Sequence, residues 1–130
     1  MCGIVGLYLK NLELAPDLGR LSALMLREMT SRGPDSAGFA VYDDRAVTRI
    51  SCLSRTGETD WAEVERGVSG AIGAGVEAHV VSDHAILATQ GDGAAARRWV
   101  IENAPDVSVL GVGSAMELYK GVGDPDAVAD

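Results

Sequence analysis

The chain has 130 residues, with 19 acidic against 11 basic side chains, a formal net charge of −8 and 47% hydrophobic residues. A chain of this length buries roughly two-thirds of the surface that its unfolded form exposes, which excludes disorder of the whole chain and predicts one globular domain. The acidic balance, with few and scattered Lys and Arg, argues against nucleic acid or an anionic membrane as a partner.

The first part of the chain predicts a strand, a helix and a hairpin. The short apolar run at 3–9 is typical of a buried strand. Residues 16–30 predict a helix, because its apolar side chains form one stripe: Leu18, Leu21, Leu24, Met25 and Met29. A strand at 39–42, an Asp-Asp-Arg turn and a returning strand at 47–53 then predict a hairpin.

The middle of the chain alternates in the order helix, strand, strand, helix, strand, at residues 60–72, 76–82, 84–89, 93–103 and 107–110. Together with the strand at 47–53, this order is β-α-β-β-α-β, the split βαβ or ferredoxin-like unit. A further strand at 115–120 is expected to pair with 107–110 through a turn. Asp124 and Pro125 then have the N-cap and first-turn proline of a helix that has barely begun at residue 130.

Cys2 is the most informative single residue. Removal of Met1 leaves a thiol and an α-amine on one residue, so nucleophile and base come from the same place. The α-amine has a reference pKa of about 7.7 to 8.0 and can accept the proton of the thiol near neutral pH. The competing interpretation is a small buried residue at the start of a strand.

The loop at 31–38, Ser-Arg-Gly-Pro-Asp-Ser-Ala-Gly, is the second candidate site. Arg32 offers a planar guanidinium suited to a carboxylate, and Asp35 can accept backbone donors or pair with Arg32. Gly33 permits a close approach that a side chain would block. The competing interpretation is an ordinary loop between a helix and a strand.

Taken together, Met-Cys-Gly-Ile-Val-Gly at the N-terminus and Arg-Gly-Pro-Asp-Ser-Ala-Gly about 30 residues later resemble the class II glutamine amidotransferases, which are N-terminal-nucleophile hydrolases. The resemblance covers residues 1 to about 53. It is closest to the stand-alone amidotransferase subunit of glutamate-synthase-like and N-methylglutamate synthase systems, to which the ferredoxin-like unit followed by residues 117–123 is also similar.

The resemblance implies an α+β fold: part of an αββα sandwich at 1–54, a ferredoxin-like (βαββαβ) insert at 55–122, and the start of a truncated helix at 123–130. It implies a glutaminase in which Cys2 attacks the side-chain amide of L-glutamine and releases glutamate and ammonia. Arg32, Gly33 and Asp35 match the motif that lines and supports the pocket. The expected partner is a synthase subunit that accepts the ammonia and holds FMN, with no cofactor in this chain.

The sequence departs from the family in the rest of the site. The family forms its oxyanion hole with an Asn-Gly pair and holds the substrate through an Arg in a His-x-Arg segment and an Asp, and none of these is present. Losing one oxyanion donor typically costs ~10²- to 10³-fold in rate. We therefore expect these 130 residues to be inactive as a glutaminase.

Two alternatives remain open. One is an enzyme of the asparagine-synthetase or phosphoribosyl amidotransferase branch, against which the insert argues. The other is a non-catalytic scaffold or ligand-sensing module, which retention of Met1 would favour.

The remaining polar and aromatic residues favour structural roles. Cys52 is expected to be a small apolar filler on a strand. His79 and His84 flank a turn, with pairing of a histidine to Asp83 expected, and no metal site is expected. Trp61 and Trp99 are expected to anchor the two helices on the sheet. No run approaches the ~20 apolar residues of a membrane span and no signal peptide is seen, which favours a cytoplasmic location.

Overall fold

The structure is a computed structural model that describes residues 3–32, 35–123 and 125–128. The helices are α1 (Leu18–Arg27), α2 (Trp61–Ile72), α3 (Gly93–Asn103) and α4 (Pro125–Val128). The strands are β1 (Ser36–Tyr42), β2 (Thr48–Ser54), β3 (Val76–Val81), β4 (His84–Thr89), β5 (Val107–Gly113) and β6 (Met116–Val122). The predicted α+β class is confirmed, as is the order β2-α2-β3-β4-α3-β5 of the split βαβ unit.

The chain divides into two compact units. The first unit comprises the described residues within Met1–Gly38 and Lys120–Asp130, and the second is Phe39–Tyr119. The division falls within β1 and within β6.

The second unit is built on a four-stranded sheet in the order β3-β4-β2-β5, in which each neighbouring pair is antiparallel. Because side chains alternate between the faces of a strand, every second residue of β2 and β4 points towards the helices. There they meet α2 and α3 in one apolar core: Ile50, Cys52, Trp61, Val64, Val68, Ala85, Leu87, Ala96, Val100, Ala104 and Val107.

Local signals in the sequence explain where the two core helices begin and end. The Asp60 carboxylate accepts the backbone N–H of Glu63 at the start of α2, and the Asp92 carboxylate accepts those of Ala94 and Ala95 at the start of α3. Gly73 ends α2 in the left-handed conformation, with a φ of 63°, which glycine adopts without steric cost. These caps fix the helices at the predicted positions.

The sheet face opposite the helices carries polar side chains. Glu77, Ala88 and Arg49 lie side by side on β3, β4 and β2, and His79, Ile86 and Ser51 form the next row. The Leu118 backbone N–H of β6 donates to Ser51 Oγ at 2.9 Å. This face therefore lacks the continuous apolar surface that a second layer of helices would need.

The first unit begins with an irregular segment and two short helical pieces. Residues Leu12–Asp17 form a 3₁₀ helix capped by Asn11, and α1 follows it. A second 3₁₀ turn, Thr30–Arg32, follows α1. The predicted helix at 16–30 is thus confirmed in its centre but is shorter at both ends, with Pro16 in the 3₁₀ segment.

The predicted buried strand at 3–9 is wrong. The segment has no regular secondary structure, and Ile4 and Tyr8 are 96% and 83% exposed. A strand needs a neighbouring strand to bond its N–H and C=O groups. Among the described residues the two sheets use the other strands, and none of them pairs with 3–9.

Two predicted strand pairings are also wrong. The strands at 39–42 and 47–53 exist, but β1 pairs with β6, while β2 pairs with β4 and β5. Similarly, the strand at 115–120 does not pair with β5. Both edges of β2 are occupied inside the larger sheet, so β1 has no free edge of β2 to join.

In the part of the chain that the structure describes, no helix is long and apolar enough for a membrane span.

Candidate functional site

Of the four predicted site residues, the structure describes two. Cys2 and Gly33 lie outside the described residues. Arg32 ends the 3₁₀ turn after α1, where its backbone N–H donates to the Met29 carbonyl at 2.8 Å. Asp35 lies just before β1, and both side chains are exposed.

The residue that follows Cys2 packs against the turn that carries Arg32. A Cβ built on Gly3 would lie 3.0 Å from the Cβ of Arg32 and would overlap the Met29 methyl group. A side chain at position 3 would therefore force one of these groups to move. The structure thus brings Gly3 and the turn that carries Arg32 together, although they are about 30 residues apart.

A backbone hydrogen bond ties the loop to the end of β6. The Gly123 N–H donates to the Asp35 carbonyl at 3.0 Å. Gly123 has a φ of 130°, a conformation that other residues rarely adopt, and this lets the chain turn where the bond forms. The backbone of Asp35 is therefore held by this bond while its side chain remains exposed.

The residues predicted to be structural have the expected surroundings. Cys52 lies in the apolar core, and burial raises the pKa of its thiol to about 12. His84 Nδ1 lies 2.8 Å from an Asp83 carboxylate oxygen. Trp61 is part of the core, and Trp99 packs against it. No group of three metal-ligating side chains is found in the described part of the chain.

A charged cluster on the polar face of the sheet was not predicted from the sequence. Arg49 is 1% exposed, and its guanidinium donates two hydrogen bonds of 2.7 Å to Asp43 and one of 3.0 Å to Glu117. It also donates to the Ser114 carbonyl. Arg45 donates to the same two carboxylates, at 2.6 Å and 2.9 Å.

The cluster changes the acid–base behaviour of its members. Hydrogen bonds from Arg49 and Arg45 hold the pKa of Asp43 well below its usual range, and the bonds to Asp43 raise the pKa of both arginines. Tyr119 donates to Glu117 at 3.1 Å, and burial with the nearby Glu117 charge raises its pKa to about 12. Asp43, Arg45 and Arg49 therefore stay ionised across the neutral range, while Tyr119 keeps its proton.

Beside the cluster lies a cavity of about 270 Å³, which we call the trough. Its charged and polar lining is Arg45, Arg49, Glu77, His79 and Glu117. Its floor includes the small side chain of Ala88, which lies between Arg49 and Glu77 in the sheet register. A sequence signal existed, because Arg49 is the one charged residue in the strand Thr48–Ser54.

Comparisons with known proteins agree with the N-terminal motifs. The chain is 44% identical to the glutamine amidotransferase-like protein GlxB of Rhizobium meliloti over 135 residues, which is 99% of the chain and 44% of that protein. It is 28% identical to a putative glutamine amidotransferase of Methanothermobacter thermautotrophicus over 100% of the chain and 46% of that protein. The chain is similar to glutamine amidotransferases.

A third similarity is shorter. A glutamine–fructose-6-phosphate aminotransferase of Acidithiobacillus ferridurans is 38% identical over 76 residues, which is 58% of the chain and 12% of that protein. The chain spans less than half the length of each of these relatives. No protein-family model matches the chain, and no solved structure matches it significantly.

Proposed function

We propose that the chain is part of a class II glutamine amidotransferase, in which Cys2 hydrolyses the side-chain amide of L-glutamine. The observation that carries the proposal is the similarity of nearly the whole chain to proteins named glutamine amidotransferase. The packing of Gly3 against Arg32 supports it, because a shared site requires the N-terminus and the loop at 31–38 to be neighbours.

The proposed reaction proceeds through a covalent intermediate. With Met1 removed, the α-amine of Cys2 takes the thiol proton, and the thiolate attacks the amide carbon of glutamine. The carbon–nitrogen bond breaks, and the α-ammonium returns the proton to the leaving ammonia. Water then hydrolyses the glutamyl thioester to glutamate and restores the thiol. Arg32, Gly33 and Asp35 line and support the pocket in this proposal.

The proposal assigns the ammonia to a second protein. A synthase subunit of the glutamate-synthase-like or N-methylglutamate synthase kind is the proposed acceptor, and FMN belongs to that subunit. In the same proposal residues 1–54 form part of an αββα sandwich and residues 55–122 are an insert, which completes the split βαβ unit together with β2. An asparagine-synthetase-like assignment is less favoured, since both similarities that cover nearly the whole of this chain include the insert.

We propose further that the 130 residues alone do not turn over glutamine. The sequence has no Asn-Gly pair for the oxyanion and no His-x-Arg segment for the substrate. Interactions that are made only in the transition state raise the rate, and their absence removes the corresponding acceleration. Cys2 then has its base but lacks the donors that stabilise the tetrahedral intermediate.

Intact-mass measurement combined with an ammonia-release assay tests the proposal. The expected mass lacks Met1, and ammonia release from glutamine is expected to be equal for the wild type and Cys2→Ala. Turnover that Cys2→Ala abolishes would contradict the inactivity of the chain while supporting the glutaminase chemistry. Retention of Met1 would contradict the chemistry itself, because a blocked α-amine cannot accept the thiol proton.

A further inference from the structure

We infer that the trough on the polar face of the sheet binds a free α-amino acid. The site lies wholly within Phe39–Tyr119, and none of the residues used in the glutaminase proposal lines it. The inference therefore does not depend on the proposed reaction of Cys2. It rests on a buried donor, on unused polar groups and on the shape of the cavity.

The buried donor is the Nε–H group of Arg49. Arg49 is 1% exposed and lines the trough, and its two terminal nitrogens are fully engaged with Asp43, Glu117 and Ser114. In the described residues its Nε is the one buried side-chain nitrogen or oxygen without a hydrogen-bond partner. Buried polar groups nearly always have a partner, so this N–H calls for an acceptor from outside the chain.

The charges within the cluster balance each other, which leaves the charge of Glu77 for a ligand to pair with. Two arginines, Arg45 and Arg49, are balanced by the two carboxylates of Asp43 and Glu117. On the opposite wall, the exposed side chain of Glu77 has no hydrogen-bond or ion-pair partner in the described part of the chain. A ligand that fits must offer an acceptor to Arg49 and a cation to Glu77.

The spacing of the two walls suits a small molecule. Arg49 and Glu77 both pair with Ala88, from opposite sides, so they are two strand spacings apart, about 10 Å between Cα atoms. The short side chain of Ala88 keeps the space between them open. The volume of about 270 Å³ is near the lower limit of known small-molecule pockets.

An α-amino acid matches these requirements. After a small shift of the buried Arg49 side chain, the ligand carboxylate would accept from Arg49 Nε, and the ammonium would face the Glu77 carboxylate across Ala88. Charge-assisted hydrogen bonds of this kind are stronger than neutral ones. His79, which lies beside Glu77 on the trough wall, is left to contact the side chain of the ligand.

The test is a titration of the ¹⁵N-labelled full chain, followed by amide chemical shifts. The probes are glycine, L-alanine, L-glutamine and L-glutamate, with N-acetyl-L-alanine and L-alaninamide as controls that lack the ammonium or the carboxylate. We expect saturable shifts at β3 and β4 with at least one free amino acid. Neither control is expected to saturate.

Two variants and a matched control locate the site. Glu77→Gln removes one charge, and Ala88→Val fills the floor without changing charge. Glu102→Gln removes the same charge from the exposed face of α3. We expect at least about tenfold weaker binding for the first two variants and no change for the third, with folding checked by circular dichroism. The inference is overturned if no free amino acid saturates, if the shifts lie elsewhere, or if Glu77→Gln binds as the wild type does.

Discussion

Substitution of Gly67 by alanine tests how α2 and α3 pack on each other. A Cβ at Gly67 would fall well inside 3.0 Å of two ring carbons of Trp99, so the ring must move. Trp99 packs against the core, and overpacking at such a contact costs about 1–3 kcal/mol. The same substitution gains about 0.8–1.0 kcal/mol of helix propensity. We therefore expect Gly67→Ala to range from neutral to about 2 kcal/mol less stable.

Gly70 provides the matched control in the same helix. It is exposed, and a Cβ there would meet nothing within 4 Å, so Gly70→Ala is expected to be more stable than the wild type by about 1 kcal/mol. The difference between the two variants, about 1–3 kcal/mol, isolates the clash because the propensity gain is common to both. Urea unfolding measures it.

A double-mutant cycle tests whether the cost of Gly67→Ala comes from the contact with Trp99. In a Trp99→Leu background the shorter side chain leaves room for a Cβ at position 67, so Gly67→Ala should stabilise as Gly70→Ala does. Equal unfolding free energies for Gly67→Ala and Gly70→Ala in the wild-type background would refute the packing of Trp99 on Gly67.

Three further predictions concern single groups. The pKa of Asp43 is lowered in the folded state, so its contribution to stability is present above the unfolded pKa and is lost as pH falls through the folded value. Asp43→Asn should therefore weaken the fall of the unfolding free energy at acidic pH. An unchanged pH dependence of the unfolding free energy would contradict this. With a pKa of about 12, Cys52 has roughly one thiolate in 10⁴ molecules at pH 8, and peptide mapping should find it unlabelled by a thiol reagent until the protein unfolds. Asp92→Ala should reduce the free energy of unfolding by about 1 kcal/mol, since it removes the cap of α3, and a wild-type urea midpoint would count against the cap.

Elements with local signals were predictable from the sequence. Helices α2 and α3 lie where the sequence predicted helices, at 60–72 and 93–103, and the structure shows Asp60 and Asp92 capping them through backbone N–H groups within three residues. The order of the split βαβ unit followed from these helices and from the strands between them. Such signals need no knowledge of distant partners.

Strand partners and side-chain clusters were not predictable in the same way. The turn at Asp43 predicted a hairpin, but the side chain of Asp43 joins a cluster with Arg49 and Glu117, the last of them 74 residues away in sequence. The apolar segment 3–9 predicted burial, which requires a sheet edge that the described residues do not provide. These features depend on register and on long-range pairing, which a single sequence does not specify.

Within the candidate site, sequence reasoning supplied the residues and the structure supplied one contact. Gly3 and Arg32 were picked out as parts of two separate motifs, and the structure packs them together. The trough was missed, because Arg49, Ala88 and Glu77 become neighbours only through the pairing of three strands.

The most direct test of the central claim is the rate at which a glutamine-mimicking diazo-ketone alkylates Cys2. General-base catalysis contributes typically 10²- to 10⁴-fold, so a variant that carries one extra alanine between Met1 and Cys2 should react at least about tenfold more slowly than the wild type. We predict one adduct, on Cys2, and no slowing by glutamine, because the 130 residues lack the His-x-Arg segment that holds the substrate in the family. Equal rates for the two proteins, or an adduct absent from Cys2, would contradict an N-terminal nucleophile that uses its own α-amine as base.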